Sequence, residues 1–354
     1  MTDYEKLTFR WADFPPLSEH LSGTGGKLRT ELEDFQVEEL PLYLPQGDGS
    51  HAYARVEKHG LTTRDLVLAL LNEGLAEKEI GVAGLKDKYA ITSQWLSVPQ
   101  RHAKALEALE GLDGARILET SRHKNKLGIG HLKGNRFKLR VRETEPDAVQ
   151  KAGAILEYLQ KLGVPNYFGP QRFGRFGTNA VDGYKLVQGE KVPGGHRLKR
   201  FFISALQSLL FNHLLAKRIK LGLFDEVVLG DWAKKVDTGG VFKVEDEVEV
   251  ARAKRFEISA TMPLYGKKVR VSEARAGELE LAGLEHYDLH WANFTGRRGD
   301  RRLSRLPLDK IDLQSEEDGY TLSFDLQKGA FATSILREIM KTDVDTFSET
   351  ETGE

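Results

Sequence analysis

GVAGLKDKYAITSQWLSV, residues Gly81 to Val98, sets a carboxylate between two lysines in a loop opened by Gly84 and then runs into an apolar segment. Gln94 to Val98 reads as a strand, so Asp87 is expected in a turn just ahead of it. Flanking cations favour the ionised form of an aspartate. An ionised, partly shielded carboxylate can act as a nucleophile. Lys-Asp-Lys is equally common on ordinary solvated turns, and from these residues alone both readings stand.

Working outward, DFQVEELP (Asp34 to Pro41) predicts a short strand, and TTRDLVLALLNEG (Thr62 to Gly74) a helix with Thr63 as its cap and Gly74 as its stop. FKLRV (Phe137 to Val141) alternates apolar and basic, which predicts a half-buried strand showing Lys138 and Arg140 to solvent or to RNA. A helix is expected from Pro146 to Leu162. GVPNYFGPQRFGRFG (Gly163 to Gly177) mixes glycine and proline with aromatics and predicts a structured loop. FFISALQSLLFNHLLAKRIKLG (Phe201 to Gly222) is strongly helical, with Lys217, Arg218 and Lys220 at the end that favours cations. Short strands are expected to about Val271, then a strand over Tyr320 to Leu326 and a helix over Ala330 to Lys341. The acidic last dozen residues are expected to fray. The pattern is α+β, with boundaries near Gly163 and Leu303.

The 354 residues carry a net charge of −1, which does not suggest a polyanion binder until the distribution is read. Ala115 to Arg142 holds nine Lys/Arg and one acid, Gly195 to Lys220 six Lys/Arg and no acid, and Gly296 to Arg305 five arginines. Such runs can form a basic face for nucleic acid or be ordinary solvated surfaces. With no cysteine there is no disulfide, thiol nucleophile or cysteine-based zinc site. GTGGK (Gly23 to Lys27) lacks P-loop spacing. His123 and His131 do not make a metal pair; RNA contact or exposure is expected of them. No apolar run spans a bilayer and no signal peptide opens the chain, so a soluble, cytoplasmic protein without membrane contact is expected.

The Gly81–Val98 stretch resembles the active-site motif of the tRNA pseudouridine synthase D (TruD) family. Five further stretches resemble its motifs in order: DFQVEELP, RHKNKLGIGHLKGNRF (Arg122 to Phe137), GVPNYFGPQRFG (Gly163 to Gly174), SALQSLLFNHLLAKR (Ser204 to Arg218) and FATSILREI (Phe331 to Ile339). The resemblance implies a pseudouridine-synthase-type mixed, largely antiparallel sheet with helices. It implies a discontinuous catalytic domain over residues 1–162 and 304–354. An inserted α/β domain over 163–303 would then form the other wall of an RNA-binding cleft. It makes Asp87 the catalytic nucleophile, puts Asn135 and Phe137 on an active-site Asn-x-Phe motif, and sets Arg29 where a basic partner of the aspartate, commonly lysine, is expected. Met262 in TMPLYG (Thr261 to Gly266) stands where glycine is usual. Lys86, Arg122, Lys124 and Lys126 are candidate substrate contacts.

The implied reaction isomerises uridine, at position 13 of tRNA in the family, and requires no cofactor, no metal and no obligatory protein partner. Extruding the uridine costs a few kcal/mol, and stacking on an aromatic ring returns about 1–3 kcal/mol, a role for Phe137. Read without the resemblance, Phe137 is a core aromatic on a strand and Asn135 a turn residue after Gly134. The rival class is a non-catalytic RNA-binding or tRNA-chaperone protein, which has no need of a shielded nucleophile.

Overall fold

The computed structural model describes residues 4–308 and 311–342. The acidic tail, 343–354, lies outside the described residues. In chain order the strands begin with β1 (Lys27–Leu28), β2 (Phe35–Pro41), β3 (His51–His59), β4 (Gly81–Val82), β5 (Ile91–Pro99), β6 (Ala115–His123) and β7 (Leu132–Arg142). Then come β8 (Val164–Pro165), β9 (Trp232–Lys235), β10 (Val241–Lys243), β11 (Ile258–Leu264), β12 (Asp300–Leu303), β13 (Arg305–Leu306), β14 (Ile311–Glu316) and β15 (Gly319–Gln327). The helices are α1 (Thr63–Asn72), α2 (Ala148–Leu162), α3 (Asn179–Val187), α4 (His196–Lys220), α5 (Val248–Lys254), α6 (Ala274–Glu285) and α7 (Ala332–Met340). The chain is α+β and falls into two compact units. Among the described residues one comprises 24–153 and 311–332, the other 4–23, 154–308 and 333–342.

The first unit is a mixed sheet in the order β14-β15-β7-β2-β5-β3-β6, with β1 added to β7 and β4 to β5. Every named pair is antiparallel except β2 with β5. Directly opposed residues of an antiparallel pair share a face. The pairs Phe35–Leu139, Val37–Phe137 and Glu39–Asn135, continued by Phe137–Phe324 and Asn135–Leu326, therefore line up apolar side chains on one face, with Glu39 and Asn135 at one end. The opposite face of β7 is polar. There Lys138 is exposed, whereas Arg140 is tied to Asp318 at 2.8 Å and Arg136 to Asp325 at 2.8 Å.

Helix α1 buries Leu66, Val67 and Leu70 against Ala54, Val56, Leu96 and Val98. Each such side chain contributes about 1.5–3 kcal/mol. Its cap is Thr62, one residue before the expected one. The Thr62 hydroxyl accepts the Asp65 N–H at 3.1 Å, and Asp65 reaches back to the Thr62 N–H at 2.6 Å. This capping box leaves the Thr63 hydroxyl for another task.

In the second unit α4 begins at His196, five residues before the expected start, and buries Leu206, Leu209, Leu210, Phe211, Leu214 and Leu215. α3 lies close against it at Gly183, where a Cβ would come within 2.2 Å of the Phe202 carbonyl oxygen. The strand order there is β10-β9-β11-β12. Met262 is buried in mid-β11, opposite Arg302, so regular strand accepts its side chain. Tyr167 and Phe168 are buried as packing residues. Among the described residues no helix is long and apolar enough to cross a membrane.

Candidate active site

Asp87 lies between β4 and β5, and the backbone on either side of it is tethered. The Lys86 N–H donates to the Thr63 hydroxyl at 2.8 Å, which donates in turn to Gln94 Oε1 at 2.8 Å. The Asp87 carbonyl accepts from Lys58 Nζ at 2.7 Å, and the same ammonium donates to the Leu61 carbonyl. Upstream, the Ala83 carbonyl accepts the Gly130 N–H at 2.7 Å, which ties the loop to the basic segment before β7. A carboxylate on a backbone held in this way loses little entropy when it is brought into a reacting geometry.

Among the described residues neither lysine flanking Asp87 in sequence pairs with its carboxylate. Lys86 is buried, and its Nζ donates to Glu39 Oε2 at 2.8 Å. The other Glu39 oxygen accepts the Trp95 N–H at 3.3 Å. Lys86 is thus a structural cation under the loop rather than one open to a ligand; Lys88 is half-buried. The cation that meets the Asp87 carboxylate is Arg29, whose Nη2 lies 3.1 Å from Oδ2. The Arg29 side chain is 15 % exposed and that of Asp87 39 %, so the carboxylate stays open to a ligand while its partner does not.

Arg29 follows β1 with a φ of 60°. A left-handed backbone is unfavourable for a residue with a Cβ and persists where its surroundings over-determine it. Here its guanidinium carbon sits 4.1 Å above the Phe35 ring, a cation–π contact that fixes the plane of the fork that meets Asp87.

Phe35 begins the aromatic row of the sheet. Its ring meets Phe137 edge-on at 6.2 Å, and Phe137 stacks on Phe324 at 5.7 Å. Phe137 is buried in this row. Asn135, two residues along the same face, is half-buried, and its Oδ1 is shielded from water and has no hydrogen-bond partner among the described residues. An unsatisfied buried amide oxygen costs about 1–3 kcal/mol, and a ligand N–H would remove that cost.

Arg122 and Lys124 are exposed where β6 ends, whereas the Lys126 ammonium is engaged by the Lys78 carbonyl. His123 is not exposed. It is buried, stacked on Tyr43 at 4.8 Å and edge-on to Tyr53 at 5.6 Å. His131 Nδ1 meets the Tyr43 hydroxyl at 2.8 Å. Both histidines anchor the basic segment. Among the described residues no three His, Asp or Glu side chains converge as a metal site requires.

Sequence reasoning did not single out Lys58, Glu39 or Phe35, and it read Thr63 only as a helix cap. Lys58 carried one signal, because it occupies the same alternating face of β3 as Ala52, Ala54 and Val56 and is fully buried there.

A family model described as tRNA pseudouridine synthase D (TruD) matches residues 15–193 and 194–339. A tRNA pseudouridine synthase D of Thermus thermophilus is 52% identical over 338 residues, covering 95% of each chain. One of Anaeromyxobacter dehalogenans is 44% identical over 345 residues, covering 94% of this chain and 98% of its own. A crystal structure from Methanosarcina mazei, of a chain described under the same name, superposes with a TM-score of 0.75 at 23% identity. It covers 96% of this chain and 98% of that one, a likeness of fold.

Proposed function

Since the chain belongs to the TruD family of tRNA pseudouridine synthases, and is therefore an isomerase, we propose that Asp87 is its nucleophile and that it acts on uridine 13 of tRNA in the cytoplasm. The observation that carries this reading is the half-exposed Asp87 carboxylate held 3.1 Å from Arg29 on a tethered loop. Its neighbours in the same unit are an aromatic row and an unpartnered amide oxygen.

In the proposed reaction the bond from ribose C1′ to uracil N1 breaks, the base turns, and C1′ rejoins at C5. The C5 proton leaves and N1 takes one up, so substrate and product are isomers. Asp87 attacks the nucleotide or assists glycosidic cleavage and glycal formation, and Arg29, 3.1 Å away, aims the carboxylate. Asn135 Oδ1 accepts an imide N–H of the uracil. Phe137 offers its ring to the extruded base, whose stacking offsets much of the cost of leaving the helix. Arg122, Lys124 and Lys126 contact phosphates, and Lys86 supports the loop from below. Residues 1–162 and 304–354 are assigned to catalysis and 163–303 to RNA binding.

The test is Asp87→Asn, nearly isosteric but without charge or nucleophilicity. It is expected to bind tRNA as the wild type does and to form no pseudouridine. The assay is single turnover with enzyme in excess, read by mass spectrometry after carbodiimide labelling, on transcripts carrying uridine or cytidine at position 13. Turnover within about tenfold of wild type, only ~1.4 kcal/mol in barrier, removes Asp87 as nucleophile. Equal labelling of the two transcripts removes position 13 as the target.

A further inference from the structure

The arginines divide by partner. Arg142 faces Asp34 at 2.8 Å, Arg218 faces Asp231 at 2.9 Å and Arg301 faces Glu280 at 2.6 Å. Arg305 is buried and donates to backbone carbonyls, Leu162 among them at 2.8 Å. Those charges are neutralised or solvated within the fold. In the unit built on 154–308, Arg172, Arg200 and Arg297 are different: among the described residues none of these three side chains has a carboxylate partner or a hydrogen bond.

They also stand near one another. After burial, the largest cause, the neighbouring guanidinium depresses each affinity for protons: Arg297 acts on Arg172, Arg200 on Arg297, and Arg172 on Arg302. Arginine stays charged under such shifts, so four positive charges share one neighbourhood. Part of the group is rigidly built. Arg302 donates to the Asn166 carbonyl at 3.2 Å and lies 4.1 Å over Phe168, and Asn166 is fixed by its own bond to the Leu303 carbonyl at 2.9 Å. Arg172 covers Phe168 at 5.5 Å and Phe201 at 5.7 Å.

A second penalty falls at the same place. Arg200 and Phe201 belong to the start of α4, whose first turn has no acid and no side-chain cap. Arg197, Lys199 and Arg200 crowd the end where the helix dipole disfavours cations. One occupant relieves both costs, namely an anion. Two features favour a polyanion over a single free phosphate. The guanidiniums share no carboxylate, and Arg172 reaches over Phe201, the neighbour of Arg200. Phe176, four residues from Arg172, is 76% exposed and carries Arg175 at 5.7 Å over its ring. A row of cations with an open aromatic is how single-stranded nucleic acid is tracked.

We propose that Arg172, Arg200 and Arg297, with the first turn of α4, cradle successive phosphates of the tRNA backbone. This deepens the tRNA-modifying reading and rests on it for the identity of the RNA. The test is the full chain carrying Arg200→Gln and Arg297→Gln, whose side chains hold no hydrogen bond or ion pair among the described residues. Its tRNA affinity is measured between 50 and 200 mM salt beside a thermal melt. We expect binding weakened on the order of tenfold at 150 mM. The slope of log affinity against log salt should fall by nearly two, as two lost phosphate contacts require. The melting temperature should be unchanged or higher, because repulsion is relieved.

Affinity within twofold of wild type with an unaltered salt slope overturns the proposal. So does a lowered melting temperature with an unaltered slope, which would make these arginines structural. Protection of the wild-type melt by inorganic phosphate, at matched ionic strength and with the variant's tRNA affinity unchanged, would assign the group to a small anion and overturn it as well. The measurement needs no turnover. A wild type that forms no pseudouridine would refute the proposed function while leaving a lost salt slope as evidence for the cradle.

Discussion

Replacing Lys86 by methionine tests the foundation of the candidate site. Its side chain is 5 % exposed and that of Glu39 1 %, and the two meet at 2.8 Å. Methionine keeps the length and removes the charge, leaving Glu39 with only the Trp95 N–H at 3.3 Å. Breaking a buried pair from one side costs about 3–5 kcal/mol, because a charge remains without compensation. The carboxylate can instead take a proton, which limits the loss to roughly 3.7 kcal/mol at pH 7 for an ordinary glutamate and lowers that limit by ~1.4 kcal/mol per pH unit on acidification. Lys86→Met is therefore expected to lose about 3–4 kcal/mol at pH 7 and to recover about 2–3 kcal/mol of it at pH 5, since the folded variant then holds the extra proton. Adding Glu39→Gln removes the stranded charge. The double variant should regain most of the stability and lose the pH dependence, so the cycle reports a large coupling. Urea melts followed by tryptophan fluorescence at both pH values give all four corners, with Trp95 buried at the pair. A Lys86→Met loss below about 1 kcal/mol and flat with pH would show the pair to be effectively solvated and would refute the account of Lys86 as the structural cation beneath Asp87.

Phe137→Ala should cost about 3–5 kcal/mol by opening a cavity beside Phe35 and Phe324, so Phe137→Leu is the more informative change. It keeps most of the packing but removes the aromatic face, and single-turnover rates should fall at least tenfold if stacking is worth ~1.4 kcal/mol or more; rates within twofold of wild type would make Phe137 a core residue only. In the second unit, burial first and the His286 and Lys220 charges after it push His213, packed against Phe14 at 4.8 Å, down to about 4 from an ordinary 6.5. The unfolded chain takes up that proton near pH 6.5 and the folded chain does not, so the stability is complete above 6.5 and is lost as pH falls toward 4, by up to roughly 3 kcal/mol. His213→Phe should therefore narrow the stability difference between pH 7.5 and pH 5 by about 2 kcal/mol in denaturant melts; an unchanged difference would show that His213 is not the titrating group.

What was legible in the sequence was local. The period-2 pattern of β7 and β15 and the apolar stripe of α4 each lie within one stretch of chain and lead to the right elements. The cap of α1 was misread by one residue, because Thr62 and Thr63 are equally good oxygen acceptors and only the tertiary approach of Gln94 and the Lys86 amide chooses between them. β3 and β6 were not anticipated. β3 buries Lys58 among apolar residues, which disguises its alternation, and β6 is an edge strand with mostly exposed side chains. The basic runs are plain in the sequence, but a run of charges does not show its partners. Arg142 and Arg218 are held by acids far along the chain or buried beside them, whereas Arg172, outside every run, ends in the unneutralised group.

The candidate site shows the same limit most clearly. Asp87 could be singled out because its loop is contiguous, yet the lysines beside it in sequence are not its partners in space. Its partner is 58 residues away, and Lys86 pairs across 47. Arginine in place of the expected lysine fits the geometry at position 29. With φ at 60° the backbone turns the side chain back over Phe35, and a flat guanidinium can lie on that ring at 4.1 Å while directing an N–H to Asp87. An ammonium has no plane to lay on the ring and would reach the carboxylate as a point charge on a mobile stem. Arg29, Phe35 and Asp87 are therefore one arrangement: the ring orients the fork, the fork orients the carboxylate, and the loop tethered through Lys58, Thr63 and Lys86 determines where that carboxylate stands.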